Sequence, residues 1–384
     1  MSAGQGLVPD NGVTGNGAPG DAGHLGNRGG PAGAGKIAGA PIPWGVCEVP
    51  GWGHQLSPDR VLAEMTEVGL AATELGPAGF LPDDPGHAAR VLRQHHLAPV
   101  GGFVPVRLHV PGHDPVPEIE QVLRGYAGTG ARTLVLSADS GLAGYDTRPA
   151  LDEDSWTTLL RNLDRLSALA AQHGVLAVLH PHVGTMVENS CEVRRVLDGS
   201  SVALCLDTGH LLIGGTDPAE LARQVPGRIA HTHLKDVNGS IAAKVRSGRI
   251  TYTEGVQEGM YRPLGAGDVD VEAIVSVLGR RGYGGWYVLE QDTILTEEPA
   301  GEGPVADVRT SAEYVRSVLT GAPTPHRPLS GDPGRSRFHQ RSARVYSSWL
   351  RCLSRDGRRA PGEPGGADRP GRCSFRPRSA AVPR

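Results

Sequence analysis

Residues 203–210 read ALCLDTGH and residues 229–236 read IAHTHLKD. Each opens as a short β-rich run and closes in charged or imidazole side chains. A run of four to eight apolar residues bounded by turn signals reads as a buried strand. Asp207 and His210 therefore follow one strand, and His231, His233, Lys235 and Asp236 occupy the end of the next. Polar groups collected at the C-terminal ends of buried strands are what a (β/α)8 TIM barrel needs, because its active site is built at that face.

The same rhythm extends outward from this pair. Further strand candidates are Ile42 to Cys47, Ala72 to Leu75, Pro99 to Val104, Thr133 to Ser137, Leu176 to His180 and Gly285 to Glu290, which with Ala203 to Asp207 and Ile229 to Leu234 make eight. Helical stretches alternate with them. In Pro58 to Gly69, Val61, Leu62, Met65 and Val68 recur at helical spacing, with Ser57 as N-cap before a first-turn proline. Ser155 to His173 carries Leu159, Leu160, Leu163, Leu166 and Leu169 and is stopped by Gly174. Later helices are expected over Cys191 to Leu197, Pro218 to Val225, Val271 to Arg281 and Val305 to Leu319. Eight alternations exceed a typical open, doubly wound sheet and favour the barrel. Residues 238–268 form a long insert after the seventh strand, where a barrel places its active-site covers.

Composition sets the limits. The first 40 residues and residues 323–384 are rich in Gly, Pro, Ala or Arg and poor in large apolar side chains, so both are expected to be disordered tails around a barrel at 41–322. The net charge of −3 conceals an Arg-rich, Lys-free C-terminal stretch, read as a solvated extension or out-of-frame coding, and an acidic body. An acidic body does not suit phosphate-backbone binding, so nucleic acid is not expected as a partner. Five cysteines without a CxxC pair indicate reduced thiols rather than a disulfide framework. With neither a leader-like start nor a run of about 18 apolar residues, the expectation is a cytoplasmic protein that does not span a membrane.

Chemistry concentrates on four successive strand ends. They offer His180 and His182, then Asp207 and His210, then His231, His233, Lys235 and Asp236, then Glu290 and Asp292. Imidazoles mixed with carboxylates suit a divalent transition metal, with Mn2+ or Co2+ favoured and Zn2+, Fe2+ or Mg2+ as alternatives. Cys205 should point to the same side as Asp207 by strand alternation. Glu74, at the end of the second strand, is a candidate for substrate hydroxyls, and Trp44, Trp52 and Trp286 could wall a sugar ring. Asp236 is either a substrate contact or a cap for the next helix. The glycine-rich PLGAGDVD (263–270) lacks the Lys and Ser/Thr of a phosphate loop, so nucleotide binding is not indicated.

The motifs LDTGH, HTHLKDV, PLGAGDVD and GGWYVLEQD, with HPHVGT upstream, resemble the sugar phosphate isomerase/epimerase superfamily of xylose isomerase-like barrels. Within it they look most like the inosose dehydratases of myo-inositol catabolism, over about Pro41 to Leu319. The resemblance implies a metal held by Asp207, His233 and Glu290, with His210 toward substrate. Where the superfamily usually has a Glu at the end of the fifth strand, this chain has His180, which leaves His180, His182 or a water as the fourth ligand. The implied substrate is a small polyol or keto-sugar, and a homo-oligomer is compatible with the family.

A metal on a ketone lowers the pKa of the neighbouring C–H and stabilises the enediolate formed when the proton leaves. Expelling a β-hydroxyl then gives dehydration, with His210 or Glu290 as base and Lys235 or His182 as acid. Returning the proton instead gives a keto-sugar epimerase or a hydroxypyruvate-type isomerase. The alternative from another class is a non-catalytic barrel that only binds.

Overall fold

The structure is a computed structural model that describes residues 36–322. Its strands are β1 (Lys36–Gly39), β2 (Ala72–Thr73), β3 (Ala98–Pro99), β4 (Gly101–Val106), β5 (Thr133–Ala138), β6 (Leu176–Leu179), β7 (Ala203–Asp207), β8 (Ile229–Leu234), β9 (Asp236–Val237), β10 (Tyr261–Arg262) and β11 (Trp286–Leu289). The helices are α1 (Pro58–Glu67), α2 (Pro85–Gln94), α3 (Val116–Thr129), α4 (Glu153–Gln172), α5 (Ser190–Gly199), α6 (Thr208–Ile213), α7 (Pro218–Gln224), α8 (Gly239–Arg246), α9 (Tyr252–Gln257), α10 (Val271–Arg280) and α11 (Val305–Thr320).

Nine strands form one parallel sheet in the order β3-β2-β1-β11-β8-β7-β6-β5-β4. Its two outer strands are halves of one stretch interrupted at Val100. Val100 donates to Thr73 O at 2.9 Å on one side, while its own carbonyl accepts from Arg132 at 2.9 Å on the other. One stave thus serves both edges, and the parallel ring is a nearly closed α/β barrel.

Local chemistry explains the element ends. Ser57 caps α1 ahead of Pro58, and Asp152 caps α4, whose first residue Glu153 comes two before the start expected from the pattern. Leu134, Leu136, Leu179, Leu204 and Leu206 join the main apolar core shared with the helices, while Val135, Val178 and Cys205 form a separate cluster. This division is the period-two alternation of strands with two faces to fill.

The first strand differs from expectation. Ile42–Trp44 is a 3-10 turn, and β1 is Lys36–Gly39, paired with β2 and β11. Pro43 and Gly45 deny the 42–47 stretch an extended ladder, with Gly45 in the left-handed region at φ 76°. Residues 36–40, expected within an N-terminal tail, therefore belong to the barrel. The remainder of that tail and residues 323–384 lie outside the described residues.

The pairing of β7 with β8 contains a bulge. Leu204 faces Ile229 but Cys205 faces His231, so Ala230 is one extra residue on β8. Beyond it Asp207 is opposite His233. Paired residues share a face of the sheet, so this slip puts His231 and His233 on the side of Cys205 and Asp207. Among the described residues no helix is long and apolar enough to cross a membrane.

Candidate metal centre and its acid–base neighbours

Asp207 ends β7 and is also the N-cap of α6. Its Oδ1 accepts from the His210 N–H at 2.7 Å, leaving Oδ2 for the barrel interior. There Oδ2 stands 3.1 Å from His180 Nε2 and 3.7 Å from His233 Nδ1. Glu290, directly after β11, brings Oε2 into contact with the same His233 nitrogen. Asp207, His233 and Glu290 each offer a donor atom within 4.8 Å of the others'.

His233 Nδ1 and Glu290 Oε2 are buried and make no hydrogen bond of acceptable geometry, although they touch. Ligands about 2.0–2.2 Å from one metal ion stand roughly 3 Å from each other. The donor set and its orphaned atoms therefore fit a divalent cation.

Behind His233 lies Glu74. Its Oε1 faces His233 Nε2 at 3.0 Å and His231 Nε2 at 2.9 Å. A carboxylate only accepts, so both imidazoles carry hydrogen on Nε2, and the Nδ1 of His233 is the face turned to Asp207 and Glu290.

Beside the cluster sits Lys235, 1% exposed, with Nζ at 3.1 Å from His210 Nε2, 3.2 Å from Glu290 Oε1 and in contact with Asp292 Oδ1. Burial opposes its charge, but Asp207, Asp292 and Glu290 outweigh burial and hold the ammonium well above the usual lysine range. His210 is pushed well below the usual histidine range by burial, then by His182 and Lys235. The result is a charged donor hydrogen-bonded to a neutral acceptor. His182 stacks on His210 with ring centroids 3.6 Å apart, and burial lowers its pKa as well. Gly209 permits this packing, since a Cβ there would stand 2.7 Å from the Cβ of Lys235.

His180, Asp207, His210, His233, Lys235, Glu290 and His182 are thus brought together, with Glu74 one layer behind. Trp44 and Asp236 are placed otherwise. Trp44 is fully buried, and its indole N–H donates to Glu64 at 2.6 Å. Asp236 accepts from the N–H groups of Val237, Gly265, Gly267 and Val269, each at 2.9 Å, so its oxygens organise the 263–270 loop. Burial pushes its carboxyl up to about 6, against those donors. Gly267 is required there, because a Cβ would meet Asp236 Oδ1 at 2.2 Å.

Two residues of the site carry no signal in the sequence. Tyr252 and Tyr261, from the 238–268 insert, are buried with their hydroxyls 2.9 Å apart, and Tyr252 O–H donates to Asp292. The long insert is visible as a cover, but which of its side chains point inward is decided by tertiary packing.

Comparison with known proteins shows the family of the barrel. A family model described as a xylose isomerase-like TIM barrel matches residues 118–318. The rhizopine catabolism protein MocC of Rhizobium meliloti is 34% identical over 75% of this chain and 89% of its own length. An inosose dehydratase of Geobacillus kaustophilus is 30% identical over 74% of this chain and 94% of its own. Among solved structures, the IOLI protein with a bound zinc atom superposes with a TM-score of 0.57 at 17% identity, covering 73% of this chain and 98% of that one.

Proposed function

The chain belongs to the xylose isomerase-like TIM barrel family, and on that premise we propose that it is a divalent-metal-dependent lyase that removes water from an inosose, a cyclic polyhydroxylated ketone. The convergence of Asp207, His233 and Glu290 beside a paired ammonium and neutral imidazole carries this reading. The relatives named as inosose dehydratases supply the substrate class.

Asp207, His233, Glu290 and His180 would hold the ion, Mn2+ or Co2+ by the mixed imidazole and carboxylate set, and once bound it would polarise the substrate ketone. His210 takes the proton from the carbon beside the carbonyl, and that electron pair moves onto the carbonyl oxygen. As the pair returns, the bond to the β-hydroxyl breaks and the departing oxygen takes a proton from Lys235, leaving as water. The remaining enol ketonises to a diketone. The 3.1 Å contact between His210 and Lys235 lets the proton gained by one restore the other between turnovers.

The test is to incubate Mn2+- or Co2+-loaded protein with 2-keto-myo-inositol. Growth of the ultraviolet absorbance of a diketone, with loss of one water by mass, is the expected result. Exchange of solvent deuterium into the substrate without loss of water would assign an epimerase or isomerase instead. Protein that neither retains metal nor turns over substrate would be a binding barrel.

A further inference from the structure

The 238–268 insert does more than cover the site. Tyr252, at the first position of α9, is fully buried, with its ring 5.7 Å from that of His210 and 6.3 Å from that of Tyr145. Its hydroxyl donates to Asp292 Oδ2, and Asp292 Oδ1 in turn contacts Lys235 Nζ. Tyr261, on β10, completes the row with a hydroxyl 2.9 Å from that of Tyr252, while its ring centroid is 5.5 Å from Lys235 Nζ.

Charge accounting gives the row its importance. Lys235 lies 3.6 Å from Asp207 and 3.2 Å from Glu290. Under the reading above both carboxylates serve a divalent cation, which also repels the ammonium. Asp292 is then the carboxylate left to hold Lys235 in place, and the orientation of Asp292 is fixed by a phenol from the insert. Docking of the insert is itself determinate. Its β9–β10 pair is antiparallel, Asp268 accepts the Gly239 N–H at 2.8 Å, and Thr253 N–H donates to Asp146 at 3.0 Å.

We propose that Tyr252, supported by Tyr261, is a positioning residue that sets the Lys235 ammonium through Asp292, so that the acid is assembled by the docked insert. What the ammonium does rests on the dehydratase reading; where it sits does not.

The chain contains only three lysines, Lys36, Lys235 and Lys244, so amine footprinting reads the position directly. Brief acylation of the full-length protein with an N-hydroxysuccinimide ester, followed by peptide mass mapping, should mark Lys244, whose side chain is 43% exposed, and spare Lys235. In Tyr252→Phe the acylation of Lys235 should rise at least tenfold relative to Lys244, and in Tyr261→Phe by a smaller factor. Mn2+ stoichiometry should be unchanged. Tyr261→Phe decides the matter should Tyr252→Phe fail to fold, and an unchanged Lys235 footprint in the folded variants overturns the proposal.

Kinetics read the consequence. Tyr252→Phe should lose ten- to a hundredfold in kcat on 2-keto-myo-inositol at unchanged KM. It should match wild type on an analogue with fluoride in place of the departing hydroxyl, which leaves without a proton. Equal slowing on both substrates would reduce Tyr252 to a packing role and overturn the proposal. A footprint that changes as expected in a protein whose wild type leaves the inosose untouched would sustain the positioning and sink the dehydratase reading alone.

Discussion

Glu74 shows what a single oxygen can decide. Its Oε1 receives two imidazole N–H groups, from residues 157 and 159 positions later in the chain, and so fixes which nitrogen His233 turns to the metal site. Glu74→Ala removes that oxygen and leaves both imidazoles without a partner for their N–H. Loss of such an outer partner typically costs ten- to a hundredfold in metal affinity. Titration of apo protein with Mn2+ or Co2+ should show a decrease of about that size, and equal affinities for the two proteins would refute the assignment. The sequence places Glu74 near the site but among substrate contacts, because its partners lie on a strand that only barrel closure brings opposite. Asp207, His233 and Glu290 are legible for the opposite reason: each falls at the end of a strand, where a barrel gathers its polar groups. Trp44 looks like a sugar platform from its residue type alone, and its buried bond to Glu64 is a tertiary fact.

Elements are legible wherever apolar side chains mark them. β7 and β8 begin and end where ALCLD and IAHTHL do. β1 escapes the pattern because KIAG is short and half Ala or Gly, residues poor in strand propensity, while the neighbouring IPWGVC looks more β-like. The residues of the 263–270 loop argue against a phosphate cradle, but the loop's real organiser, Asp236, lies 27 residues before it. Asp236→Ala would strip four N–H groups of their acceptor, two of them from glycines held against the carboxylate. A buried N–H left unsatisfied typically costs about 1–3 kcal/mol, so chemical denaturation should show a clear fall in midpoint, and hydrogen exchange at Gly265, Gly267 and Val269 should accelerate. Unaltered exchange there would mean that the loop has another anchor.

At the scale of the whole molecule, closure is the vulnerable property. β1 joins β2 to β11, so a chain cut at Pro41, where composition alone would draw the boundary, loses the stave between them. Such a truncation should lose cooperative thermal unfolding and near-ultraviolet dichroism, and a native-like melt would contradict this description of the ring. The barrel class is readable from alternation; the site within it depends also on parity. Ala230 is the surplus residue that brings β8 into step with β7. Foldability and reactivity thus answer to different arithmetic: a strand that took Ala230 into its ladder opposite Cys205 could still be wrapped in helices, yet its imidazoles would be turned outward, leaving an intact scaffold around an inert interior.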